Sequence, residues 1–188
     1  INSTDADGTV AIGYAAGNAL TDGQYNTVIG YDALKVHTTG NSNIAIGYEA
    51  MNDTDAGSNS LASDSNIAIG KDSMGGTWAD GQSRWNVAVG SATMQAALNA
   101  AEANTAIGNQ ALYLLTSGDE NVAIGANAGL KIQVGNYNSL LGAYAGQYST
   151  GSYNTFIGYK AGEGGTTSAP FSSGENNVAV GSEALKAF

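Results

Sequence analysis

The stretch NTVIGYDAL at residues 26–34 is followed by NIAIGYEAM at 43–51 and NIAIGKDSM at 66–74. Further copies are NVAVGSATM (86–94), NTAIGNQAL (104–112), NVAIGANAG (121–129), NSLLGAYAG (138–146), NTFIGYKAG (154–162) and NVAVGSEAL (177–185), and TVAIGYAAG (9–17) opens the series. The repeated unit is an Asn, three strand-forming residues and a Gly. The closing glycines are Gly13, Gly30, Gly47, Gly70, Gly90, Gly108, Gly125, Gly142, Gly158 and Gly181, at intervals of 17, 17, 23, 20, 18, 17, 17, 16 and 23 residues. Self-similarity at so short a period marks a solenoid, in which each unit buries its apolar surface only against its neighbours. The expected fold is therefore all-β: a parallel β-solenoid of about ten coils in a single domain over residues 1–188.

The residue before each Gly is Ile or Val, with Leu141 the one departure. β-Branched residues favour extended backbone, so this column reads as the strand core. The alternate face carries mostly Ala, replaced by Val28, Leu140 and Phe156. A half-exposed strand would alternate apolar with polar. Two apolar faces imply that the second is buried too, inside a narrow coil or against another chain, and oligomerisation is expected on that ground.

The motif Asn recurs as Asn26, Asn43, Asn66, Asn86, Asn104, Asn121, Asn138, Asn154 and Asn177, with Thr9 in the first copy. Stacked coils would align these amides in a ladder that satisfies polar groups left unpaired at a corner. Three residues earlier a Gly recurs (Gly23, Gly40, Gly118, Gly135, Gly151, Gly174), read as a turn needing positive φ. Three residues after the motif Gly stands Ala, Ser or Thr, read as a second, tightly packed short strand. Ten coils at about 4.8 Å each would give a rod of roughly 45–50 Å. Residues 92–103 have high helix propensity, but the solenoid register is expected to hold there with at most one helical turn.

Composition excludes several functions. Sixteen acidic residues against six basic ones give a net charge of −10, which disfavours a nucleic-acid partner. There is no Cys, and so no disulfide scaffold or thiolate metal site. No apolar run approaches the roughly 20 residues that span a bilayer, so no membrane insertion is expected. Without a charged-then-apolar secretion signal at its start, the sequence reads as a fragment, or as an ectodomain anchored elsewhere.

The repeat resembles the head repeats of YadA-like trimeric adhesins, in which a small or polar residue precedes Val, Ala, Ile or Leu and Gly, with a small residue three places on; NVAIGANAG matches closely. The longer spacing around NTVIGYDALKVHTTGNSN is similar to related repeats of phage tail-fibre proteins. The resemblance implies a left-handed β-roll, a homotrimer, attachment to a host surface, and a place on a virion fibre or a cell surface. It carries over no catalytic or ligand-binding residue, and no cofactor.

Extra residues in a solenoid leave as loops, often on the binding face. Insertions are expected near 52–65, 75–85 and 163–176. The second holds Trp78, Arg84 and Trp85, and the third holds Phe171. Aromatic faces beside a guanidinium can stack on sugar rings or pack a protein partner, and equally they can cover a loop or a seam between chains. Aromatics recur in register as Tyr14, Tyr31, Tyr48 and Tyr159 after the Gly, and as Tyr25, Trp85, Tyr137 and Tyr153 before the Asn. Such ladders suit glycan binding or plain cross-strand stacking. Asp32, Glu49 and Asp72 align as an acidic stripe that reads as a solvated face, with a cation site or a glycosidase-like carboxylate pair as alternatives. His37 falls in a polar loop with no triad around it. No residue set reads as catalytic, metal-ligating or cofactor-binding. The expected role is non-enzymatic: a structural and adhesive fibre module whose partners are its own copies and a host-surface glycan or protein. The alternatives are a purely structural spacer and a glycan-degrading tailspike.

Overall fold

Three residues are too few to hold an isolated strand, so the Val-Ala-Ile triplets gain their order only by stacking. In the computed structural model, which describes residues 7–52, 62–79, 81–165 and 172–187, each repeat supplies one such strand. They are β1 (Val10–Ile12), β2 (Thr27–Ile29), β3 (Ile44–Ile46), β4 (Ile67–Ile69), β5 (Val87–Val89), β6 (Thr105–Ile107), β7 (Val122–Ile124), β8 (Ser139–Leu141), β9 (Thr155–Ile157) and β10 (Val178–Val180). All ten form one parallel sheet in sequence order, with equivalent residues in register. The chain is a β-solenoid of about eight turns carrying ten rungs. The helix-prone stretch at 92–103 contains no helix.

Asn side chains hold one corner. Asn104 donates Nδ2–H to the Gly118 carbonyl at 2.7 Å and to Asn86 Oδ1 at 3.0 Å, and its own Oδ1 accepts from the Asn121 backbone N–H at 3.0 Å. The same pattern runs from Asn26 to Asn177. These amides are buried through most of the stack, where an unpaired polar group would be costly.

The two glycine positions do different jobs. The motif glycines take φ of 124–139°, and a Cβ on Gly13, Gly30, Gly47 or Gly70 would sit 2.7 Å from the carbonyl carbon of the Gly one coil on. The earlier glycines do not adopt the positive φ expected of them. A Cβ on Gly23 would instead meet the Gly40 carbonyl oxygen at 2.5 Å, so close approach between coils selects Gly there. The positive φ falls two residues later, at Tyr25, Ser42, Glu120, Tyr137, Tyr153 and Asn176.

The expected second short strand is a turn. Positions two and four after the motif Gly are left-handed, as in Asp32 (φ 52°) with Leu34 (φ 45°) and Glu49 (φ 54°) with Met51 (φ 50°). Left-handed backbone costs a non-Gly residue roughly 1–2 kcal/mol, and packing and pairing offset it. Asp32 N–H reaches back to the Tyr14 carbonyl at 2.9 Å, Leu34 N–H reaches forward to that of Ala50 at 2.9 Å, and the Leu34 and Met51 side chains are fully buried.

The core lies on the Ala side of the sheet and the Ile/Val column faces outward, so of the two places expected for the second apolar face the Ala face takes the inside of the coil. The interior is narrow, and most coils place only one large side chain of the strand–turn pair in it. Coils with Ala45, Ala68, Ala88 or Ala106 on the strand carry Met51, Met74, Met94 or Leu112 on the turn; those with Leu140 or Phe156 carry Gly146 or Gly162 instead. A Cβ on Gly146 would meet Phe156 at 3.2 Å. In these coils large and small residues trade places across the interior, while Val28 and Leu34 are both large, and Ala11 with Gly17 and Ala123 with Gly129 are both small.

Candidate interaction surface

Outward residues of the sheet form four columns. Two are the strand residues themselves, such as Ile44 and Ile46 or Ile67 and Ile69. They are flanked on one edge by the residue before the motif Asn (Tyr25, Trp85, Tyr137, Tyr153) and on the other by the residue after the motif Gly (Tyr14, Tyr31, Tyr48, Tyr159). Ile12, Val10, Leu141, Val178 and Val180 are exposed, and so are all eight of these flanking aromatics.

The tyrosines stack on one another. Tyr14 and Tyr31 lie 5.0 Å apart, Tyr31 and Tyr48 5.4 Å, and Tyr137 and Tyr153 5.0 Å, with ring planes within 15° of parallel. Rings so arranged cover one another's faces and present edges and hydroxyls to solvent. Sugar stacking needs a free ring face, so within each stack only the outermost rings retain one.

The acidic stripe is paired off. Lys35 Nζ lies 2.7 Å from Asp32 and Lys71 Nζ 3.7 Å from Asp72. Hydrogen bonding to Glu49 and its charge together raise the Tyr48 hydroxyl above its ordinary pKa. Among the described residues no group of three or more His, Cys, Asp or Glu is placed to hold a metal ion, and no pocket indents the surface.

Of the residues singled out for ligand contact, Trp78 is not at the surface. It is fully buried, donates Nε1–H to the Met74 carbonyl at 3.2 Å, and meets His37 edge-on at 5.7 Å between ring centroids. His37 is likewise in the core rather than in a polar loop, at the place along the coil taken by Leu20 and Leu115, and burial lowers its pKa to about 4. The 75–85 insertion does not project as a binding loop there. It is stitched to the next coil, with Ala79 N–H donating to the Leu98 carbonyl at 2.8 Å and Gly81 N–H to Asn99 Oδ1 at 3.0 Å. Arg84 and Trp85 do reach the surface. The Arg84 guanidinium lies 5.1 Å from the Trp85 ring centroid and 3.0 Å from Glu102 Oε1, and Trp85 is 55% exposed. Phe171 and most of the 52–65 insertion lie outside the described residues, as does part of 163–176.

A second polar ladder escaped the sequence reading. Side-chain oxygens of Asn41, Asp64, Asp119 and Asn136 accept backbone N–H groups from Gln24, Asn41, Glu102 and Asp119 of the preceding coil at 2.6–2.9 Å. Its signal was an Asn or Asp recurring two residues before the motif Asn. No helix among the described residues is long and apolar enough to cross a membrane. Comparison with protein-family models, with curated proteins and with solved structures finds no match to this chain.

Proposed function

We infer that this chain is a structural and adhesive fibre module that works as a homotrimer of left-handed β-rolls, on a virion fibre or a cell surface, attaching to a host-surface glycan or protein. The uncovered apolar face of the ten-stranded sheet carries this reading. Ten rungs about 4.8 Å apart and seven residues across give a face of about 45 by 20 Å, about 900 Å². That footprint, which also holds Lys71, Glu120 and several Ser and Thr side chains, matches one side of a standard protein interface, about 800 Å². The single chain leaves that area in water, and side-by-side copies would remove it. The repeat's resemblance to trimeric adhesin heads supports three copies over two.

A spacer role without a receptor site of its own is the second reading, favoured by the burial of Trp78 and by the tyrosines that cover one another's faces. Light scattering on the purified chain separates assembly from its absence. Three times the 18.9 kDa chain mass is expected, and a single chain mass at micromolar concentration refutes the trimer. Glycan-array binding then separates adhesin from spacer, with binding that falls on loss of Trp85 or Arg84 expected for the adhesin.

A further inference from the structure

Each strand turns two residues outward, and the two columns they form differ in chemistry. The column just before the motif Gly, from Ile12 to Val180, is aliphatic on all ten rungs, with seven Ile, two Val and Leu141. The column two residues earlier, from Val10 to Val178, carries only two Ile and four Val; its other four rungs carry a hydroxyl, as Thr27, Thr105, Ser139 and Thr155. These four are half-buried or exposed, and each shares its strand with an aliphatic residue of the other column, Ile29, Ile107, Leu141 or Ile157. Strand propensity does not account for the difference, because Thr, Val and Ile are all β-branched and all suit extended backbone. The core does not account for it either, since the Ala side of each strand is the one that faces inward. What differs is the ground the two columns meet outside the chain. Thr in place of Val adds a hydroxyl at nearly constant shape, and burying a hydroxyl without a partner is costly. The column that excludes hydroxyls and takes the larger side chains therefore marks the drier ground.

Resting on the reading that copies of this chain assemble through the outer face, we propose that the sheet packs off-centre. The Ile12–Val180 column lies innermost, along the axis where copies meet with their solenoids parallel, and the Val10–Val178 column lies toward a rim open to water. The occupant of the face is a second copy of this chain, and the footprint of about 900 Å² is enough for one side of such an interface. Protein interfaces keep charged and polar groups to the rim and apolar ones to the centre. The two columns sort in that way along the whole rod, with hydroxyls on rungs two, six, eight and nine. In a cyclic oligomer a residue on the axis meets its own counterpart at the same height, whereas a residue at the rim meets a different part of its neighbour. Ile29 of one copy therefore meets Ile29 of the next, and Ile157 meets Ile157, while Thr27 and Thr155 stay apart from their counterparts.

The chain has no Cys, so one introduced thiol is the only one present. Ile29→Cys and Ile157→Cys are compared with Thr27→Cys and Thr155→Cys, which lie on the same two strands. Each full chain is oxidised at low micromolar concentration and run on a gel without reductant, and circular dichroism melts establish that each is folded. A disulfide needs Cβ atoms within about 3.5–4.5 Å, so only counterparts that meet can form one. Both Ile variants are expected to give a two-chain band, and both Thr variants to stay single. Cross-linking that is equal in the two columns, stronger in the Thr column, or missing from every variant of an assembling parent overturns the off-centre packing and leaves the outer-face reading standing. A two-chain band that needs Ile29→Cys mixed with Ile157→Cys marks antiparallel copies and overturns the packing as well. A parent of one chain mass in solution overturns the outer-face reading itself. Exchange of one side chain on a single strand gives a second measure by sedimentation. Ile69→Thr is expected to raise the dissociation concentration about tenfold, equivalent to about 1.4 kcal/mol, and Ile67→Thr less than about threefold; equal effects refute the assignment of the two columns.

Discussion

Acid should destabilise the fold through one residue, His37. Burial lowers its pKa from 6.5 to about 4 in the folded chain, while in the unfolded chain it keeps its ordinary value near 6.5. Between those values the unfolded state binds the proton and the folded state does not, so stability falls as pH falls. The contribution is fully present above about pH 6.5, declines between about 6.5 and 4, and is constant below. A shift of about 2.5 units at about 1.4 kcal/mol each amounts to about 3 kcal/mol, enough to move the melting temperature by several degrees. Carboxylates also lose stability in acid, so the informative comparison is with His37→Leu, which places at this position the side chain that Leu20 and Leu115 contribute elsewhere along the stack. Thermal unfolding at pH 7, 6, 5 and 4 should show the parent losing about 3 kcal/mol more than the variant. Equal losses in the two chains, or an imidazole titrating near 6.5 in the folded protein by NMR, would refute the placement of His37 in the core.

Ile107→Asp or Ile124→Asp should abolish assembly and leave a folded monomer by light scattering, while Asp at Ala97, exposed outside the sheet, should leave the mass unchanged. Asn104→Ala strands the Gly118 carbonyl and the Asn121 N–H in the buried ladder and should cost about 1–3 kcal/mol per orphaned group in denaturant unfolding. Gly162→Leu drives a side chain into Phe156 and should cost about 1–3 kcal/mol by overpacking; adding Phe156→Ala should restore much of it, and a double variant no better than the single one would contradict the volume trade in the core.

Fold class, register and the buried Asn ladder were legible in the sequence, because all three follow from periodicity. A motif such as NVAIG repeated at near-constant spacing can satisfy its backbone in only one way, by stacking like on like, and the Asn column then aligns of necessity. The tyrosine columns were legible for the same reason, since equivalent positions on successive coils must be neighbours.

Only the tertiary structure decided which face of the strand is inside. Both faces of the strand are apolar, so the one-dimensional pattern left open which lies inside the coil and which meets another chain. Most coils set a small strand residue inside with a large turn residue, as Ala45 with Met51 and Ala68 with Met74, although Val28 and Leu34 share one coil. Steric volume across the coil settled that choice, and volume depends on what lies opposite in space. The same holds for the glycines of the 23/40/118 column, selected by a carbonyl one coil away rather than by their own φ, and for His37 and Trp78, which lie between repeat motifs in the chain while their spatial neighbours are the core. Sequence determined which residues recur together along the stack, and three-dimensional packing determined which of them meet water.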